Sequence, residues 1–276
     1  MAERTLDYEE LGRRPTALRG ATSVLRSILP TLFLVLCVVA WQVVVVAFHV
    51  RPFVMPAPTV IVARIIRSWS LIWPNTLVTL EETLVGFAVG AVVGFLLALL
   101  IAYSPLLERM LYPLIVASQA VPKIAIAPLF ILWFGFGIWP KVVVTVLLVF
   151  FPVVVTSAEG LMSVDRNLID LLRSVNATPL QIFTKVRLPH ALPQVLAGLK
   201  IAIALAVVGA VVGEWVGADK GLGYMILFAN SQLDTTLSFA AITLLVVMGV
   251  VLFIAVDLLG RLITPWQRVR VTDPGM

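Results

Sequence analysis

Charge is what this sequence has least of. Only 13% of its 276 residues are Asp, Glu, Lys or Arg, 61% are apolar, and the mean hydropathy is +1.06. A soluble domain carries roughly 25% charged and 45–50% apolar residues, so a water-soluble fold is excluded. Cysteine is nearly missing too: Cys37 stands alone inside an apolar run, which rules out a disulfide framework and a cysteine metal site. Imidazole can come only from His49 and His190. There is no H-E-x-x-H, no G-x-S-x-G and no clustered histidine, so an enzyme acting inside the membrane has no site to work with. The net charge of +5 would point to nucleic acid in a soluble protein. Here it has first to be read as topology.

Apolar length is what the sequence does have. At 1.5 Å per residue, about 20 apolar residues cross a hydrocarbon core of about 30 Å. Six runs qualify, near 28–48, 84–103, 112–134, 140–158, 191–217 and 236–262. The expected fold class is therefore an all-α integral membrane protein of about six transmembrane helices. Residues 1–27 are polar, with five arginines, and the run from Ile28 to Phe48 exceeds the roughly 7–15 residues of a signal-peptide core, so a retained helix behind a short tail is expected. With the N-terminus inside, 13 Lys and Arg fall on the cytoplasmic side and five (Arg51, Arg64, Arg67, Lys141 and Lys220) on the other, and both termini are placed in the cytoplasm. Three of those five lie in the external segment 49–83. Its stretch Val60 to Trp69 sets Ile61, Ile65 and Trp69 opposite the arginines, as in a helix lying on the membrane surface.

Two rows of glycine recur at every fourth residue: Gly86, Gly90 and Gly94, then Gly209, Gly213 and Gly217. Residues four apart share a helix face, and glycine there lets another backbone approach closely, so both helices are expected inside the bundle. The third run holds Pro122 and Pro128, each without a backbone donor, which predicts a kinked helix packed on protein. Charges in or near spans are Lys123, Glu159, Lys200, Glu214 and Asp257. Lys123 and Glu214 are the candidates for a substrate path, Glu214 as a guard of the external gate. Each also has an ordinary reading, as an interfacial or paired charge. Lys200 has the reach to snorkel to the cytoplasmic face, and Glu159 and Asp257 sit where topological or pairing charges sit.

The polar segment Ser163 to Pro189, between the fourth and fifth spans, carries helix signals without the apolar length to enter a bilayer. Leu168, Leu171, Leu172 and Val175 fall at i, i+3, i+4 and i+7, the pattern of a short amphipathic helix. Asn176 suits the left-handed residue that ends such a helix. Thr178, Pro179 and Gln181 then spell a capping box for a second helix, which Pro189 should stop. The apolar stripe either docks a partner or lies on the membrane under its own bundle, and periodicity leaves both open.

The stretch Asp170-Leu-Leu-Arg-Ser-Val-Asn176, followed after nine residues by Val186-Arg-Leu-Pro189, resembles the E-A-A-x3-G-x9-I-x-L-P loop of ABC importer permeases. The spacing matches throughout. Asp170 stands for the glutamate, leucines for both alanines and Asn176 for the glycine. Ala127-Pro-Leu-Phe-Ile-Leu-Trp-Phe-Gly135 and Gly221-Leu-Gly-Tyr-Met-Ile226 are similar to the nitrate, sulfonate and taurine branch, which also includes transporters of thiamine pyrimidines. The resemblance covers about residues 75–262, the permease core. Outside it lie the tail 1–27, the first helix with its external segment, 28–74, and the tail 263–276.

What the resemblance implies is a non-catalytic subunit of a type I importer in the inner or plasma membrane. The loop 163–189 would couple to a separate ATPase dimer through Asp170, Leu171, Leu172, Arg173, Val175, Asn176, Ala177, Leu188 and Pro189. Two permease copies would pair, and an extracytoplasmic binding protein would deliver the solute. ATP and magnesium would sit on the ATPase, since this chain has no G-x4-G-K-[ST] phosphate loop and binds no cofactor itself. An ion-coupled secondary transporter is the competing class, but those commonly show internal repeats, and the two halves here share none. A channel would leave the amphipathic loop without a role.

Overall fold

In a bilayer the backbone must satisfy its own hydrogen bonds, and an apolar run of 20 residues does so as a helix. The computed structural model describes residues 16–266, with side chains from residue 29, and every regular element among them is helical. These are α1 (Thr16–Ala47), α2 (Pro58–Arg67), α3 (Trp69–Tyr103), α4 (Pro105–Ser118), α5 (Lys123–Phe134), α6 (Ile138–Met162), α7 (Arg166–Ser174), α8 (Pro179–Ile182), a π turn (Phe183–Arg187), α9 (Leu188–Gly217), α10 (Leu222–Ser231) and α11 (Thr235–Ile263). Among the described residues α1, α3, α6, α9 with its leading turns, and α11 are each long and apolar enough to cross a bilayer, and the number is six when the bent pair of α4 and α5 is taken as one span. The expectations for residues 1–15 and 267–276 fall outside the described residues.

The core is α6 held between α3 and α9. The glycine row of α3 lies against one side of α6, where Gly86 faces Thr145, Gly90 faces Val149 and Gly94 faces Phe150 and Val153. From the other side Gly209 meets Thr145 and Gly213 meets Lys141, while Gly217 packs on Ile131 of α5. A methyl group on Gly209 would lie 2.7 Å from the Thr145 Cα, and one on Gly213 would lie 2.7 Å from the Lys141 Cα. Toward the loop end of the bundle the contact continues through Gly160 on Ala191 and Gly198 on Thr156. Lipid tails are as apolar as Leu, so helices gain little from hiding apolar surface from them, and close backbone packing supplies the attraction instead.

A second layer lies at the end of the bundle opposite the loop. Ile61 of α2, Ile72 of α3, Leu222, Met225 and Ile226 of α10, and Leu237, Ala240 and Ala241 of α11 form one buried cluster, with Ile65 packed beside it. Arg64 donates to Asp234 at 2.5 Å, and Asp234 also caps α11 by accepting from the Leu237 N–H at 2.9 Å. The segment around α2 is thus packed on protein through Ile61 and Ile65, while Val62, Ile66 and Trp69 remain exposed. Of its apolar stripe, Ile61 and Ile65 are covered by α10 and α11, and Trp69 stacks on Trp73 at 5.2 Å. By contrast the described side chains of α1, from residue 29 onward, are mostly exposed and join the rest at contacts such as Thr59 donating to Gln42 and Trp41 set against Phe239.

Four expectations change. The second span begins at Trp69, well before residue 84, because Glu81 and Glu82 interrupt the apolar run without interrupting the helix. The third span is not one kinked helix but two helices bent by 97° around residues 119–122, where Pro122 has no N–H to carry the ladder across. Only one side of α5 faces protein: Ala127 and Phe130 are buried, while Leu132 and Trp133 are exposed. Pro189 does not stop its helix either. The Leu188 N–H reaches back to the Phe183 carbonyl in a π turn, and the chain runs on helically into α9. Finally α10, a 10-residue helix too short to span, lies in a stretch expected to be external loop.

Two glycines on different helices give a direct test of the packing. Gly209→Ala pushes a methyl group onto Thr145 backbone and should destabilise the protein by about 1–3 kcal/mol, as overpacking does. Gly249→Ala meets only Val207 at 3.9 Å and should lose nothing. The midpoint of thermal aggregation in detergent, read by size exclusion, separates the two.

Candidate functional site

The polar loop between α6 and α9 folds as its local sequence dictates. Asp165 caps α7, accepting from the Asn167 N–H at 2.9 Å. At the other end Asn176 has φ +60, the Ala177 N–H bonds the Leu172 carbonyl and the Asn176 N–H bonds the Arg173 carbonyl, both at 3.0 Å. This is a Schellman closure with asparagine in the left-handed position. The capping box is complete as well: Gln181 N–H donates to the Thr178 hydroxyl at 3.3 Å, and Thr178 N–H donates to the Gln181 side chain at 2.8 Å.

α7 has two apolar edges with different fates. Ile169 is buried with Val164 and Ile182, and Leu172, Ala177 and Val186 pack beside them, so the loop has a small core of its own. Leu168, Leu171 and Val175 point outward, with Leu171 62% and Val175 68% exposed. Asp170 pairs with Arg173 at 3.3 Å, but both are about two-thirds exposed, so the pair stabilises little. Arg187 donates weakly to the Ala102 carbonyl at 3.4 Å and lies over the Tyr103 ring, joining the loop to the end of α3. Leu188 and Pro189 are inside the helix, not at a stop. The second arm of the loop is therefore one continuous rod with α9.

Of the two candidate path residues, Lys123 opens α5 beside the bend, its Nζ 3.9 Å from the centre of the Phe151 ring. Glu214 is only 1% exposed and fully engaged: it accepts from the Thr79 hydroxyl at 2.6 Å, the Gly223 N–H at 2.5 Å and the Tyr224 N–H at 3.1 Å. Beside it Lys141 donates to Glu82 at 2.6 Å, both nearly fully buried, and the two glutamates adjoin. From sequence Lys141 belongs with the external charges and Glu82 with the external segment 49–83, whereas the structure buries both. A signal for Glu82 was present, since it precedes Gly86 by four residues and so shares the glycine face of α3. Lys200 and Asp257 form an ion pair that Arg261 joins at 2.8 Å, and Glu159 accepts from the Tyr112 hydroxyl at 3.3 Å.

Residues 90–269 match the family described as the binding-protein-dependent transport system inner membrane component. The formylaminopyrimidine transport permease protein ThiX of Halalkalibacterium halodurans is 42% identical over 240 residues, which cover 87% of this chain and 96% of that protein. The putative aliphatic sulfonates transport permease protein SsuC of Bacillus subtilis is 33% identical over 82% of this chain and 83% of its own length. In fold, the chain is similar to a chain of the MetNI methionine ABC transporter, with a TM-score of 0.63, 23% identity, and coverage of 72% of this chain and 98% of that one. An all-helical bundle with apolar spans, a capped amphipathic loop between its two most buried helices and this set of relatives lead to one assignment. The chain belongs to the binding-protein-dependent transport system inner membrane component family, as a membrane-embedded ABC importer permease subunit of the nitrate, sulfonate and taurine branch.

Proposed function

We propose that this permease moves a small solute inward using ATP hydrolysed by a separate subunit, and that loop 163–189 is where the two subunits couple. The observation that carries this reading is the outward edge of α7. Leu168, Leu171 and Val175 are exposed on a helix whose other apolar edge is already buried, and both its ends are capped. An apolar edge held rigidly outside the spans is what a helix-in-groove contact requires. Asp170, Arg173 and Asn176 frame that edge, Leu172 and Ala177 pack on the loop's own core behind it, and Leu188 and Pro189 begin α9, with which the loop's second arm is continuous. The loop side is then the cytoplasm, in keeping with the excess of Lys and Arg there.

The remaining partners follow from family membership: an ATPase dimer carrying ATP and magnesium, a second permease copy, and an extracytoplasmic binding protein that hands over the solute. The solute class best supported is a pyrimidine of the thiamine-precursor kind, because the relative at 42% identity is named for formylaminopyrimidine. Lys123, a cation at the bend between α4 and α5, is proposed to face the path. Glu214 enters this reading as a group that holds the far gate, since its carboxylate oxygens are already taken.

Tagged permease purified in mild detergent should bring an ATPase with it, and deletion of 170–176 should abolish that recovery while leaving a monodisperse membrane protein. An intact permease that brings no ATPase under several lipid conditions defeats the coupling assignment. Leu171→Asp removes one apolar anchor and should weaken ATPase binding about tenfold, as loss of a contact worth roughly 1.4 kcal/mol does. Asn176→Gly should retain coupling. Asn176→Val forces a β-branched residue into the left-handed region, costs about 1–2 kcal/mol locally and should lower ATP-driven uptake in proteoliposomes.

A further inference from the structure

A 10-residue helix is marginal by itself, and the first four N–H groups of any helix lack partners within it. In α10 all four are taken by side chains of other helices. The Gly221 N–H donates to Asn75 at 2.7 Å, the Leu222 N–H to the Thr79 hydroxyl at 2.8 Å, and the Gly223 and Tyr224 N–H groups to Glu214. Asn75 and Thr79 are on α3 and Glu214 is on α9. The Thr79 hydroxyl is the bridge, since it donates to Glu214 while accepting from α10. Glu214 places a carboxylate where the helix dipole favours an anion. The glycines are required for this fit: Gly221 has φ +113, and a methyl group on Gly223 would lie 2.8 Å from the Glu214 Oε2.

Along its sides α10 belongs to the apolar cluster with α2, α11 and Ile72 of α3, and its N-terminus is tied by these polar bonds to α3 and α9, which sandwich α6. Lys141 stands on α6 beside this junction, paired with Glu82 and facing Glu214 as well. The loop joins the opposite ends of α6 and α9. Over the 22 residues from Lys141 to Met162, α6 carries any displacement about 30 Å along the bundle.

We infer that Asn75, Thr79 and Glu214, backed by the Glu82–Lys141 pair, form a latch that positions α10 as the closure of the far end of the bundle, and that movement of the loop opens it through α6 and α9. These are positioning residues. The inference rests on the proposed coupling of the loop to an ATPase.

Met225 on α10 is 3% exposed and reports opening. Met225→Cys in a Cys37→Ser background, assembled with the ATPase in nanodiscs, is labelled with a membrane-impermeant maleimide, at a rate that follows the population of the open form. Trapping with ATP and vanadate should raise that rate. Thr79→Val, which keeps the shape and loses both hydroxyl bonds, and Glu214→Gln should each raise it about tenfold without nucleotide, and Thr79→Ser should match the parent. Size exclusion before labelling shows whether each variant is folded, and Thr79→Val, nearly isosteric, decides the matter if Glu214→Gln is not. Equal nucleotide-free rates in the parent and Thr79→Val overturn the latch. An assembled complex whose rate ignores nucleotide overturns the link to the loop. Failure of any ATPase to assemble counts against the coupling assignment instead, and the nucleotide-free comparison still decides whether these bonds hold α10.

Discussion

The close seating of α6 between two glycine faces is the contact from which the rest of the structure follows. Thr145 shows how tight it is, with its side chain against Gly86 of α3 and its Cα against Gly209 of α9. At that separation there is no room for lipid or for side chains on the facing helices, so dispersion forces and backbone proximity hold the bundle where the hydrophobic effect cannot. The same separation lets short polar groups meet across helices. Lys141 reaches Glu82, and Thr79 reaches Glu214, only because no larger residues intervene.

Buried charges in an apolar bundle are costly unless each has partners. Here each carboxylate has at least one, although the second oxygen of Glu82 is buried without a hydrogen-bond partner. Glu82 has an ammonium, and Glu214 has a hydroxyl and two backbone N–H groups from the start of α10. Glu214 therefore does locally what a bound anion does at other helix N-termini. The result is a short helix that depends on two other elements for its first turn, which makes its position sensitive to how those elements stand relative to one another.

Loop and latch are opposite ends of the same helices. Because the π turn at Phe183–Arg187 carries the chain past Pro189 without a break, the second arm of the loop and α9 form one rod. α6 enters the loop from the other side. The pair of helices thus runs from the loop to the far end of the bundle. Among the described side chains nothing comparable ties in α1, which from residue 29 onward is largely exposed.

Much of this was legible in the sequence because the signals are local. Apolar length, the glycine rows, the capping box at Thr178 and Gln181, and the left-handed Asn176 each depend on residues a few positions apart, and chain geometry alone turns them into spans, packing faces and helix ends. The loop spacing pointed to the permease family for the same reason. What needed the tertiary structure was everything in which distant residues compensate one another. Glu82 and Lys141 read as external charges because each looks unaffordable in lipid alone, and only their meeting, 59 positions apart, makes them internal. α10 read as loop because ten residues cannot cross a bilayer, and its helix forms because Asn75, Thr79 and Glu214 supply the partners its first turn lacks. The sequence by itself determined which segments are helical and apolar. Tertiary contact decided where the charges go and which short helix is held closed, because the cost of a buried charge or an unpaired N–H is set by neighbours remote along the chain.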